Sequence, residues 1–273
     1  MPKTDVEPMD IDKWDVGFTK WLVALTRPIY KLYFRSEVRG LEHLPPQGSA
    51  LIVANHSGGL LTVDAQVFLV DYYPKFGYGR PVYVLGHDDL FHGPVIDLLG
   101  RSGIIRATQK NAAQALGAGA LVLVFPGGDY DVYRPTMARN VIDFGGRTGY
   151  VEAAVSAGVP IIPAVTIGGQ ESQFYLTRGR RLAGALGLTG WEHRLFRSTL
   201  LPVTVGFPFG LSVLLPVNMP LPAKMVTELL PAIDIAAEFG PDPDVDEVDE
   251  HVRRVMQRGL DALAAKRRFP IIG

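Results

Sequence analysis

Four apolar runs divide the chain: GSALIVAN (48–55), RPVYVLG (80–86), ALVLVFP (120–126) and VPIIPAVTIGG (159–169). Each is short and rich in β-branched or aliphatic side chains, without the polar alternation of a strand that has one wet face. Such runs must be covered on both sides. The segments between them carry helical signals. A helix is expected from Asp64 to Tyr73, a turn and short helix in HDDLFHGPVIDLLGRSG, and further helices in QKNAAQALGAG and TGYVEAAVSAG, each stopped by glycine. GIIRA (103–107) adds a brief strand, and GGDYDVYRP (127–135) reads as a loop. The alternation predicts an α/β fold, a layered and largely parallel sheet flanked by helices.

Both ends of the chain read as helix. Trp14, Phe18, Trp21, Leu22, Leu25, Ile29, Leu32 and Tyr33 recur at three- and four-residue steps, with Lys13, Lys20, Arg27 and Lys31 mostly off that stripe. Residues 1–38 are therefore expected to form an N-terminal amphipathic helical segment, capped by Asp12 or Asp10 and kinked or divided at Pro28. Its apolar face suits a membrane interface or the protein's own core, and the two can coexist. Near the other end, acids from Asp242 to Glu250 precede Lys266, Arg267 and Arg268, a polarity that complements a helix dipole. Val248, Val252, Val255, Met256 and Leu263 supply its apolar stripe. Between Arg197 and Lys224 no residue is formally charged, but five prolines and two glycines oppose a spanning helix. This stretch is expected to form apolar loops and short strands or helices resting on lipid.

Several function classes fall away. The formal net charge of −1 provides no basic field for nucleic acid. The absence of cysteine excludes disulfides, thiolate metal sites and a cysteine nucleophile, and fits a reducing compartment. The acidic, polar start MPKTDVEPMDIDKWD lacks the basic patch and apolar run of a secretory signal, so a cytoplasmic location is expected. There is no G-x-S-x-G elbow, no P-loop and no G-x-G-x-x-G after a strand. His87, Asp88, Asp89 and His92 in GHDDLFHG are possible metal ligands, but no second cluster completes a site, and no metal is expected.

Two loops can carry chemistry. NHSGGLLTVD follows the first buried run, so His56 sits at the carboxyl edge of a strand, where open α/β sheets hold ligands. A histidine there can act as a general base near neutral pH. Asp64, at the start of the next helix, can hold its other ring nitrogen, while Gly58 and Gly59 permit a tight turn. VFPGGDYD follows the third run. Gly127 and Gly128 free the backbone, with Asp129, Asp131, Tyr133 and Arg134 behind them, a set able to present amides and a cation to an anion. Arg139, Arg147, Arg178, Arg180 and Arg181 can meet phosphates or simply remain solvated.

Taken in order, these blocks resemble the glycerolipid acyltransferase superfamily, the lysophospholipid, 1-acylglycerol-3-phosphate and monoacylglycerol acyltransferases. The matches are NHSGGLLTVD, GIIRATQKNAAQAL, VFPGGDYD and GVPIIPAVTIG, with VRGLEHLPPQGSALIVAN leading in and LPAKMVTELLPAID as the closing strand segment. The resemblance covers roughly Arg39 to Asp234 and implies an acyltransferase domain over residues 39–273. It implies O-acyl transfer from an acyl-thioester, acyl-CoA or an acyl-carrier protein, to a lipid hydroxyl at a membrane surface, with no cofactor. His56 would be the base and Asp64 its orienting acid; backbone amides near Gly127 and Gly128 would hold the oxyanion. The substrate-binding set would be Gly127, Gly128, Asp129, Asp131, Arg134, Arg106 and Lys110. Three departures stand out. The usual H-x-x-x-x-D spacing would put the acid at Leu61, but the first acid is Asp64. Gly127 replaces the glutamate of F-P-E-G, leaving Asp129 or Asp131 to take its role. The arginine of the second block is Gln109 here, between Arg106 and Lys110, which makes a neutral acceptor as plausible as a phosphorylated one. A catalytically silent lipid- or acyl-carrier-binding protein on the same scaffold is the alternative. The two readings differ in whether a carboxylate lies against the His56 ring.

Overall fold

The computed structural model describes residues 11–57, 63–91, 95–179, 200–213 and 217–269. Gly58, Gly59, His92, Arg180, Arg181 and Asp10 lie outside the described residues. Among the described residues a seven-stranded sheet forms the centre. Its strands are β1 (Glu37–Arg39), β2 (Ala50–Ala54), β3 (Val82–Gly86), β4 (Ile104–Arg106), β5 (Leu121–Val124), β6 (Ile161–Ile167) and, last in sequence, β10 (Val226–Leu229), in the order β1-β10-β6-β2-β5-β3-β4. Every neighbouring pair is parallel except β10–β6. The α/β sheet anticipated from the apolar runs is present, extended by β1 and β10 at one edge. A second sheet, not anticipated in this form, joins β7 (Phe174–Thr177), β8 (Val203–Gly206) and β9 (Gly210–Val213) in antiparallel order.

Strand geometry sends successive side chains to opposite faces. In β2, Leu51 and Val53 enter one core with Val122, Ile161 and Val165, while Ile52 and Ala54 enter another with Leu121, Leu123 and Ile162. Helices α4 (Gln109–Gly117), α6 (Gly149–Ala157) and α9 (Val245–Lys266) close the first face; α1 (Val16–Pro28) and α2 (Val63–Phe76) cover the second. Short helices α3 (Val95–Arg101), α5 (Gly128–Val132), α7 (Gly169–Ser172) and α8 (Ile235–Phe239) join the larger parts. α9 buries Val248, Val252, Met256 and Leu263 as its stripe requires, and Asp244 caps it by accepting from the Asp246 and Glu247 amides.

Two local expectations change. The N-terminal helix is capped by Asp15, which accepts from the Phe18 amide at 2.8 Å, and not by Asp12. The α-helix divides at Pro28 as expected, and the chain runs on as a π-helical turn, Ile29–Tyr33. The GGDYDVYRP segment is not all loop: α5 forms because Gly127 adopts helical dihedrals and its carbonyl accepts from the Asp131 amide. Among the described residues, no helix is long and apolar enough to cross a membrane.

Candidate active site

Sheet register builds the site. Val53 pairs with Val124 and Ala54 with Ala164, so the chains leaving β2, β5 and β6 emerge side by side at the carboxyl edge. Asn55 fastens two of them, donating to the Thr166 carbonyl at 2.9 Å and accepting from the Thr166 amide at 2.7 Å. His56 follows immediately, its ring stacked on Phe125 at 4.4 Å between centroids. The histidine side chain keeps 13% of its surface exposed while Asp64 keeps 1%.

Asp64 lies in the first turn of α2, where the helix dipole favours an acid. Its Oδ2 meets His56 Nδ1 at 2.8 Å and also accepts from the Ser57 amide at 2.6 Å; Oδ1 accepts from the Ala65 amide. An ionised carboxylate can only accept, so Nδ1 carries the proton and Nε2 is left with a lone pair. Burial pushes the imidazole pKa down, but the Asp64 charge and hydrogen bond, with Asp131 behind them, outweigh it and hold it above 6.5. The spacing of eight residues between His56 and Asp64 thus still closes a histidine–carboxylate pair.

A second acid holds the same residue from the other side. Asp131 Oδ2 accepts from the His56 backbone amide at 2.7 Å, and Oδ1 receives Arg134 Nε at 3.1 Å and Nη2 at 2.7 Å. Arg134 also donates to the Asp143 carbonyl. The Asp131–Arg134 pair is buried, and burial raises the Asp131 carboxyl pKa despite Arg134 and the amide pulling it down. Asp129 turns outward to Arg147, 2.7 Å away, and Arg147 also donates to the Gly127 carbonyl. Of the two acids that the sequence left open, geometry therefore brings Asp131, and not Asp129, against His56.

Gly127 explains why no glutamate stands there. A Cβ at this position would lie 2.4 Å from Asp131 Cβ. Gly127→Ala is expected to displace Asp131 and lower stability by about 1–3 kcal/mol, the usual range for overpacking; urea denaturation measures it. An alanine variant as stable as the parent would show that the Asp131 position adapts freely. The Gly128 amide is already donated to the Phe125 carbonyl, so it is not the free oxyanion donor expected of it.

The remaining sequence candidates do not join this network. Arg106, at the end of β4, packs on the Phe91 ring at 4.8 Å and approaches Asp88 at 3.5 Å. Lys110 is exposed in the first turn of α4. Gln109 donates to the Gly149 carbonyl at 2.7 Å, tying α4 to α6. Arg139 reaches Glu171, and Arg178 lies over Tyr130. Among the described residues no group of three His, Asp or Glu converges as metal ligands. Phe125 and Asn55 were missed in the sequence. Their signal was positional: each sits at the last residue of a buried run or just past it, where register makes neighbours.

A family model described as Acyltransferase matches residues 35–167. An uncharacterized protein of Mycobacterium tuberculosis is 34% identical over 92% of this chain and 68% of its own length. The human protein named DGAT1/2-independent enzyme synthesizing storage lipids is 28% identical over 80% of this chain and 63% of its own length. In fold, the chain is similar to the crystal structure of the 1-acyl-sn-glycerophosphate acyltransferase PlsC from Thermotoga maritima. That match has a TM-score of 0.54 and 18% identity, and it covers 92% of this chain and 89% of the other. With the family model spanning the His56 and Phe125 loops and a 34% identical relative of which the chain covers 68%, the chain belongs to the glycerolipid acyltransferase superfamily.

Proposed function

We propose that the protein moves a fatty acyl group from an acyl-thioester, acyl-CoA in the first instance, to the hydroxyl of a glycerolipid at a membrane surface on the cytoplasmic side. His56 Nε2 removes the hydroxyl proton as the oxygen attacks the thioester carbonyl. Collapse of the tetrahedral adduct expels the thiolate, which recovers the proton from His56 as a thiol. Atoms balance without a covalent acyl-enzyme or a cofactor. The single observation that carries this is the 2.8 Å contact from Asp64 to Nδ1, which fixes the tautomer that a base requires. A silent binding protein has no need of it.

A neutral acceptor is favoured over a phosphorylated one. Gln109 spends its amide on the Gly149 carbonyl, and Arg106 is held by Phe91 and Asp88. The storage-lipid enzyme among the relatives points the same way. The test is acyl transfer from radiolabelled acyl-CoA to monoacylglycerol, diacylglycerol and lysophosphatidate. Labelled product with at least one neutral acceptor is expected; none with any acceptor or with acyl-carrier protein as donor would sink the reading.

The pH profile tests His56 itself. A base works deprotonated, so kcat/KM is expected to fall as pH drops through a pKa above 6.5. Asp64→Asn removes the charge that raises the ring and leaves burial, which lowers it. The acid limb should therefore move to lower pH in that variant. An acid limb unchanged by Asp64→Asn would detach it from His56.

A further inference from the structure

In the small β7–β8–β9 sheet, strands β8 and β9 are built inside out. The sheet's inward row is Tyr175, Thr204 and Ser212. Tyr175 is buried beside Tyr133, while in β8 and β9 the inward groups are polar: Thr204 and Ser212 share a hydrogen bond at 2.8 Å, and Asn218 donates to Ser212 Oγ at 3.2 Å and to the Gly210 carbonyl at 3.1 Å. The sheet's outward positions are apolar apart from Thr177. Register sets Phe174 beside Val205 and Val205 beside Leu211, so these three form one row across the strands. All three are exposed, as are Leu176 and Val213, and Phe207 at the β8–β9 turn is 72% exposed. A soluble sheet ordinarily presents the opposite pattern to water, and an apolar patch of this kind marks a contact surface.

Two observations identify what covers it. The first is charge. The strands β8 and β9 and residues 217–223 carry no formal charge, so nothing on them opposes entry into hydrocarbon. The second is continuity with another apolar surface of interfacial character. The Met219 amide donates to the Phe207 carbonyl at 2.8 Å, Tyr33 Oη donates to the Pro220 carbonyl at 2.7 Å, and Arg35 donates to the Pro222 carbonyl at 2.7 Å. The hairpin is thereby fastened, through exposed Met219 and Leu221, to the end of the N-terminal helix. That helix buries Val23 and Tyr30 but exposes Trp21, Leu25, Ile29 and Leu32, with exposed Lys20 and Arg27 beside them. Aromatic and aliphatic groups flanked by cations match an anionic lipid interface.

We propose that the outward face of the β7–β8–β9 sheet, led by Phe207 and Leu211, inserts into the headgroup–acyl boundary of a lipid bilayer beside the N-terminal helix. This rests on geometry and charge, not on the acyl-transfer reading, and it stands or falls without any activity assay. The native chain has no cysteine, so single-site labelling is clean. Leu211→Cys and, as a control on exposed α9, Glu250→Cys are labelled with an environment-sensitive nitrobenzoxadiazole dye. Vesicles of phosphatidylcholine and phosphatidylglycerol are then added. The Leu211→Cys label is expected to brighten and shift to the blue, and the Glu250→Cys label to stay unchanged. Paired Val205→Thr and Leu211→Thr changes keep strand propensity and should reduce vesicle co-sedimentation about tenfold or more, with thermal unfolding intact.

Four results would overturn the proposal. The protein could fail to bind vesicles, or bind with the Leu211→Cys label still in water, leaving the helix alone responsible. The label could be shielded before vesicles are added, so that the chain itself covers the face. It could become shielded with rising protein concentration alone, so that a second copy does.

Discussion

His56→Ala is expected to lower acyl transfer by about 10²–10⁴-fold, the range for loss of a general base. The loss should fall on kcat, with KM little changed, because the ring acts on the reacting proton. The backbone contacts of residue 56 survive the change, since the amide held by Asp131 at 2.7 Å belongs to the main chain. The ring's stacking on Phe125 is lost, so thermal unfolding must be measured alongside activity. A folded alanine variant retaining more than about a tenth of the parent rate would show that another group takes the proton.

The largest stability effect is expected at Arg134. Its guanidinium donates twice to Asp131 Oδ1 and once to the Asp143 carbonyl, and both partners of the pair are almost wholly buried. Arg134→Met leaves a carboxylate in the interior without its counter-charge, which costs about 3–5 kcal/mol in comparable buried pairs. The pH dependence has a definite sign. Burial already raises Asp131 above the usual carboxylate range, and removing Arg134 raises it further. A raised carboxyl stabilises the fold below its unfolded pKa, and that contribution is lost as pH rises through the folded value. The deficit of Arg134→Met should therefore be greatest at neutral pH and shrink as the medium is acidified. Urea denaturation of parent and variant across that range measures it. A pH-independent deficit, or one under about 1 kcal/mol, would mean that Asp131 is not left charged and alone.

Much of the sheet was legible because buried parallel strands leave an unmistakable signal. ALIVA, VYVLG, LVLV and IIPAVTI are continuous apolar runs, and each became a strand. β1 left no such signal: Glu37, Val38 and Arg39 are half-buried at the sheet's edge, where polar residues are tolerated. Short strands were expected between Arg197 and Lys224, and β8 and β9 are such strands, but their pairing with β7 into one sheet was opaque for the converse reason. Strands β8 and β9 bury polar groups and expose apolar ones, so the usual inside–outside rule reads them backwards. In the site, His56 and Asp64 were visible as a histidine after a strand and an acid at a helix start. The division of labour between Asp129 and Asp131 was not, because it depends on a helical turn that two glycines disguise. Only the fold reveals that Gly127 stands aside for Asp131.

Asn55, with both ends of its side-chain amide clasped to Thr166, and Asp131, gripping the next residue's main chain, fix the backbone that carries the imidazole, while Asp64 and Phe125 hold the ring itself. An alcohol must come to the ring, because the ring cannot travel to the alcohol. Preference among acceptors should accordingly reside in whatever shapes their approach, and exchanging one lipid for another as substrate should be achievable while the proton-handling apparatus is inherited unaltered.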